Sequence, residues 1–175
     1  MRFSYGIMQG RLSPIIGNKI QSFPEKNWKK EFIKANQLGL KLIEWTLDYK
    51  NLRNNPILTK KGRLIIKKLS KQYSIKINSL TGDCFMQKPF WKIKNNKKLI
   101  EDLKKIIDVC KVLGIKFIVV PLVDNGSIQN YDDRKNLINS CNKIIKYLQN
   151  SKIKLIFESD FSPKKLKNFI KQFDK

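Results

Sequence analysis

Apolar residues in this chain fall into two recurring patterns: short runs rich in β-branched residues, and longer stretches with helical spacing. Short runs of that kind mark strands, longer periodic ones mark amphipathic helices, and glycines punctuate helix ends. Read this way, the chain resolves into five strand–helix units. The first has a strand at Phe3–Gln9, a loop through Pro14 and Gly17, and a helix from about Asn27 to Leu38 closed by Gly39. The second has Leu42-Ile43-Glu44-Trp45 and a helix from about Pro56 to Gln72, with proline in its first turn. The third has Ile75–Leu80 and a helix from about Asn95 to Leu113, closed by Gly114. The fourth has Phe117-Ile118-Val119-Val120 and a helix from about Asp132 to Leu148; the fifth has Lys154–Ser159 and a helix from about Pro163 to Phe173.

Strands that alternate with helices imply parallel crossovers. The unbroken apolar run at 117–120 fits a strand covered on both faces. The fold class is therefore α/β, and 175 residues without a linker or composition break make a single domain over 1–175. Two architectures accommodate five such units. One is a sector of a (β/α) barrel, whose complete eight-unit form takes about 250 residues, so about three units would be lacking at the C-terminal end. The other is a five-stranded doubly wound sheet. Strand order separates them: sequential 1-2-3-4-5 for the barrel sector, a reversal such as 2-1-3-4-5 for the wound sheet.

Charge changes the picture less than its size suggests. A formal net charge of +23 ordinarily points toward nucleic acid. Here 32 Lys accompany only 5 Arg, and Asn and Ile are abundant too, as AT-rich codons would give. The lysines are spread over every helix, as on solvated faces, with no basic stripe interleaved by aromatics. A nucleic-acid partner is not expected. Cys84, Cys110 and Cys141 show no metal-ligand spacing and read as free, largely buried thiols. No secretory segment follows Met1-Arg2, and no apolar run approaches the length of a membrane span. The expectation is a soluble, reduced, cytoplasmic protein with no membrane partner. Histidine is absent, so neither His acid–base chemistry nor a His-containing metal site can come from this chain alone.

Candidate chemistry lies at the C-terminal ends of the strands, where barrels place their active sites. Those positions are Gln9, Glu44, Asp83, Asp124 and Glu158. In Ile156-Phe157-Glu158-Ser159-Asp160, alternation sets Ile156, Glu158 and Asp160 on one face. Gln9 and Arg11 sit in the loop after the first strand, where an amide and a guanidinium could hold substrate hydroxyls or a phosphate; Arg11 could equally serve to order the loop. Glu44 stands on a strand covered on both faces and needs a partner, such as a lysine or a backbone donor. It can be structural or face substrate. Asp83, after Gly82, reads first as a turn or cap residue and second as a site residue. Trp45, Phe85 and Trp91 suit core packing better than a ligand pocket.

The decapeptide Tyr5-Gly6-Ile7-Met8-Gln9-Gly10-Arg11-Leu12-Ser13-Pro14 resembles the opening strand and loop of the sugar phosphate isomerase/epimerase family, the xylose isomerase-like TIM barrels. The similarity continues through Ile20-Gln21-Ser22-Phe23-Pro24, Trp28, Glu31-Phe32, Gly39, Ile43-Glu44-Trp45, Asn55-Pro56, Asn78-Ser79, Asp83 and Phe85-Met86 to Phe157-Glu158-Ser159-Asp160. It corresponds to the N-terminal two-thirds of a family member. The resemblance implies metal-assisted proton transfer next to a carbonyl of a sugar or sugar phosphate, with Mn, Zn, Mg or Co as the divalent ion. It casts Glu158 as both metal ligand and acid–base group, and Gln9, Arg11 and Glu44 as substrate-binding residues. The remaining ligands of such proteins are an Asp, a His and a final Glu on later strands. Their absence leads to the expectation of a truncated chain that binds metal weakly, is inactive alone, and self-associates or pairs with a separately encoded C-terminal half. Two alternatives stay open: an endonuclease-IV-like DNA repair protein and a non-catalytic split-gene fragment.

Overall fold

The computed structural model describes residues 3–15, 17, 21–149 and 151–173. Met1, Arg2 and the Ile20 of the quoted motif lie outside the described residues. Five strands form one parallel sheet: β1 (Gly6–Met8), β2 (Leu42–Thr46), β3 (Ser79–Thr81), β4 (Phe117–Leu122) and β5 (Lys154–Ser159). Their order is β1-β2-β3-β4-β5, without reversal. The doubly wound alternative is thereby ruled out. The sequential order is that of a barrel sector, with α1 (Trp28–Gln37), α2 (Lys60–Tyr73), α4 (Lys97–Leu113), α5 (Tyr131–Leu148) and α6 (Pro163–Ile170) following their strands.

Alternation along the strands decides what faces the helices. Ile43 and Trp45 of β2, Leu80 of β3, and Ile118 and Val120 of β4 are almost fully buried in one contiguous core with Phe32, Ile66, Ile107 and Ile144 from the helices. Burying each such side chain contributes about 1.5–3 kcal/mol. On β5, Phe157 packs against Phe169 of α6 and against Phe173, with ring centroids 5.8 and 5.2 Å apart. The neighbouring positions Lys154, Ile156 and Glu158 consequently lie on the opposite face, and they are exposed. β4 and β5 pair over six residues, from Phe117↔Lys154 to Leu122↔Ser159.

Several boundaries differ from those the sequence predicts. β1 is shorter, and β3 begins at Ser79 instead of Ile75, although Ile75 and Ile77 are buried and Lys76 makes an isolated bridge to Leu42. The helix expected from Pro56 is two pieces. Pro56–Leu58 is a 3-10 turn, and α2 starts after Thr59, whose hydroxyl accepts from Gly62 N at 3.0 Å. The proline fixes a turn here, and the threonine supplies the cap. A short helix α3 (Asp83–Gln87) follows β3 and carries no strong periodic signal because it is barely longer than one turn. Gly39 and Gly114 do close α1 and α4, each at positive φ.

Candidate functional site at the C-terminal ends of the strands

Two carboxylates hold the long loop after β1. Glu31 of α1 is 2% exposed and accepts from Gly10 N (3.0 Å), Leu12 N (3.2 Å) and Ser13 Oγ (2.9 Å). Burial raises its pKa, and those donors oppose the rise. Asp48, two residues beyond β2, accepts from Ser22 Oγ (3.0 Å), Phe23 N (2.7 Å) and Gln87 Nε2 (2.6 Å). These two residues thus fix both halves of the long loop after β1.

Asp83 opens α3 at the end of β3. It is buried, and Gln21 Nε2 donates to its Oδ2 at 2.7 Å. Its pKa is pushed from 3.8 up to about 7, chiefly by burial and further by the charges of Asp48, Glu158 and Glu44; the Gln21 bond opposes the rise. This corrects the cap assignment. The N-cap of α3 is Gly82, and the Asp83 side chain makes no capping bond. It instead bonds across to the first loop and feels carboxylates from β2 and β5.

Glu44 is half-buried on β2, and its partner is neither a lysine nor a backbone donor but the Thr81 hydroxyl of the next strand. Glu158 stands exposed on the face opposite the helices. Asp83 thus feels the charges of Asp48, just past β2, of Glu158 on β5 and of Glu44 on β2. Of the other sequence-derived candidates, Gln9 is tied to β2, its N donating to Glu44 O at 2.9 Å. Gln9 is 1% exposed; its Oε1 accepts from Thr46 N at 3.2 Å, and its Nε2 has no partner among the described residues. Arg11 is exposed and makes no bond to a described side chain. Asp124 is exposed in a 3-10 turn at φ 49°, and Asp160 accepts from Ser127 Oγ. Trp45, Phe85 and Trp91 are core residues.

Sequence reasoning missed Gln21, Glu31, Asp48 and Thr81 as builders of this region. Asp48 had a usable signal, being an acidic residue just past a strand. The Cys84 thiol is fully buried, and burial with the neighbouring Asp83 and Asp48 charges drives its pKa well upward, which makes it inert. An apolar hollow of about 520 Å³ beside β5, between α5 and α6, offers no acid–base pair and is not a centre of chemistry.

Among the described residues, no three His, Cys, Asp or Glu groups are placed to hold a metal ion together. The residues present therefore do not by themselves fit a divalent metal centre.

Parallel strands in sequential order match a family-level finding: residues 32–175 fit the xylose isomerase-like TIM barrel. The chain belongs to this family. Three solved structures share its fold. A xylose isomerase-like TIM barrel protein from Mycobacterium smegmatis, in complex with magnesium, superposes with a TM-score of 0.64 at 15% identity, covering 85% of this chain and 53% of that one. A xylose isomerase domain protein from Planctomyces limnophilus gives 0.67 at 10% identity, covering 97% and 59%. The apo form of 3-keto-D-glucoside 4-epimerase from E. coli gives 0.54 at 17% identity, covering 78% and 52%. The chain thus spans a little over half the length of each. Identities this low establish the fold alone. No curated protein matches the sequence. No helix among the described residues is long and apolar enough to cross a membrane.

Proposed function

We propose that this xylose isomerase-like chain serves the isomerisation or epimerisation of a sugar or sugar phosphate, by proton transfer at the carbon next to a carbonyl. The observation that carries the reading is the buried Asp83 at the end of β3, bonded by Gln21, with the Thr81–Glu44 hydrogen bond beside it on the adjoining strands. Proton transfer through an enediolate needs a base at the carbon and a donor at the oxygen that gains charge. The Glu158 carboxylate, open on the face away from the helices, takes the proton from carbon. Asp83 holds its own proton up to about pH 7 and donates a hydrogen bond to the developing oxyanion. Return of the Glu158 proton to the neighbouring carbon, with the hydroxyl proton passing between the two oxygens through Asp83, gives the isomer; the epimer takes its new proton from water on the opposite face while Glu158 releases its own to solvent. Glu44, oriented by Thr81, accepts from a substrate hydroxyl. Family membership and an epimerase among the proteins sharing the fold support this reading. A divalent ion would assist by polarising the carbonyl, but no step here is routed through one.

The test is to follow fructose and fructose 6-phosphate with the protein in D₂O. The reading expects shifts of the Thr81 and Ser159 amides on binding, and slow deuterium incorporation beside the carbonyl that is lost in Glu158→Gln. Unperturbed amides and no incorporation would refute it.

A further inference from the structure

Beside the site lies a cleft of about 760 Å³ that the proton-transfer reading does not use. One wall is the loop after β1, the other the segment between β2 and α2. It is within the size range of small-molecule sites. Asp48 and Gln87 line it, and the loop that binds Asp48 through Ser22 and Phe23 N binds Asp83 through the adjoining Gln21. The cleft is therefore joined to the Asp83 end of β3 through that loop.

Its chemistry is specific. Two acids, Glu25 and Asp48, and two lysines, Lys26 and Lys50, leave the lining formally neutral. The acids are held by neutral donors: Asn51 Nδ2 donates to Glu25 Oε1 at 2.9 Å, while Ser22, Phe23 N and Gln87 hold Asp48. A phosphate placed here would meet as much negative as positive charge. Asn54, also lining the cleft, is exposed, and its amide offers both a donor and an acceptor. Pro24 and Pro56 add rigid apolar surface. Amides that can both give and accept, beside an apolar floor, suit a ring whose edge is hydroxyl and whose face is C–H.

We infer that this cleft is a subsite for a second, uncharged sugar ring, so that the substrate is a glycoside or disaccharide longer than the ketose unit at the carboxylates. That the ring belongs to the reacting molecule rests on the proposed function; that the cleft binds a neutral sugar does not.

The experiment compares maltulose, fructose and fructose 6-phosphate by calorimetry, with amide shifts recorded for Lys50, Asn51 and Asn54 in the cleft and Thr81 and Ser159 at the strand ends. Maltulose is expected to bind about tenfold more tightly than fructose and to shift both sets. Asn54→Trp, an exposed position that can fill the cleft, should remove that advantage while fructose binding is unchanged; Lys50→Ala serves as the milder second variant and should reduce it. Shifts in the cleft set without the strand-end set would sink the proton-transfer reading and leave the subsite standing. The subsite is overturned if maltulose binds no better than fructose, if its advantage survives both variants, or if fructose 6-phosphate binds the cleft more tightly than maltulose.

Discussion

The Gln21 side-chain amide donates a 2.7 Å hydrogen bond to the Asp83 carboxyl, tying the loop after β1 to the end of β3 across 62 residues of sequence. That bond opposes the desolvation of Asp83 without cancelling it. The group consequently favours its protonated form in the folded state, and stability must depend on pH through it.

The sign follows from the two pKa values. Folded Asp83 titrates at about 7 against 3.8 for the free side chain, so between these values the folded state binds more protons. Its contribution is full below about pH 3.8 and is lost as pH rises through about 7. Asp83→Asn is permanently neutral and keeps an acceptor for Gln21. It should stabilise the protein by about 2–4 kcal/mol at pH 8 and by little at pH 4. Thermal unfolding at the two pH values checks this; an equal effect at both would contradict it.

Glu158→Gln should lower proton exchange on a bound ketose by on the order of a hundredfold or more. Because Glu158 is exposed, the stability change should stay within about 0.5 kcal/mol. Deuterium incorporation and urea unfolding on the same sample separate the two effects. Loss of stability without loss of exchange would assign Glu158 to structure.

Glu31→Ala removes the acceptor for Gly10 N, Leu12 N and Ser13 Oγ from a position only 2% exposed. The expected cost is about 3 kcal/mol, because buried donors lose a charged partner. A change below about 0.5 kcal/mol in urea denaturation would show that the loop does not depend on this residue.

How far the sequence could be read depends on the distance over which each feature is specified. The β5 strand was legible to the residue, since Leu155-Ile156-Phe157 is a continuous apolar run closed by Glu158, Ser159 and Asp160. α4 and α5 announce themselves by apolar spacing, and Gly114 by position. β3 was misplaced because Ile75 and Ile77 alternate like a strand, yet the ladder pairing with β4 begins only at Ser79. Glu158 could be placed on a face by counting. Asp83 is a candidate by position, but the sequence ranks it first as a cap, because its partners Gln21, Asp48, Glu44 and Glu158 come from four other segments. The tight seat of Gly62 is of the same kind.

At that position an added Cβ would sit 2.0 Å from the Pro56 carbonyl oxygen. In an exposed helix, Gly→Ala gains about 1 kcal/mol. Gly62→Ala should instead cost about 1–3 kcal/mol by forcing α2 away from the Pro56–Leu58 turn. A rise in melting temperature would show that the turn yields freely.

The most direct test of the coupled carboxylates is NMR titration of the Asp83 carboxyl carbon in the wild-type protein and in Glu158→Gln and Glu44→Gln. Coupling predicts a midpoint near 7 in the wild type that moves downward in each variant, since each removes a neighbouring negative charge. A midpoint near the ordinary aspartate value, or one unmoved by both substitutions, would contradict the site.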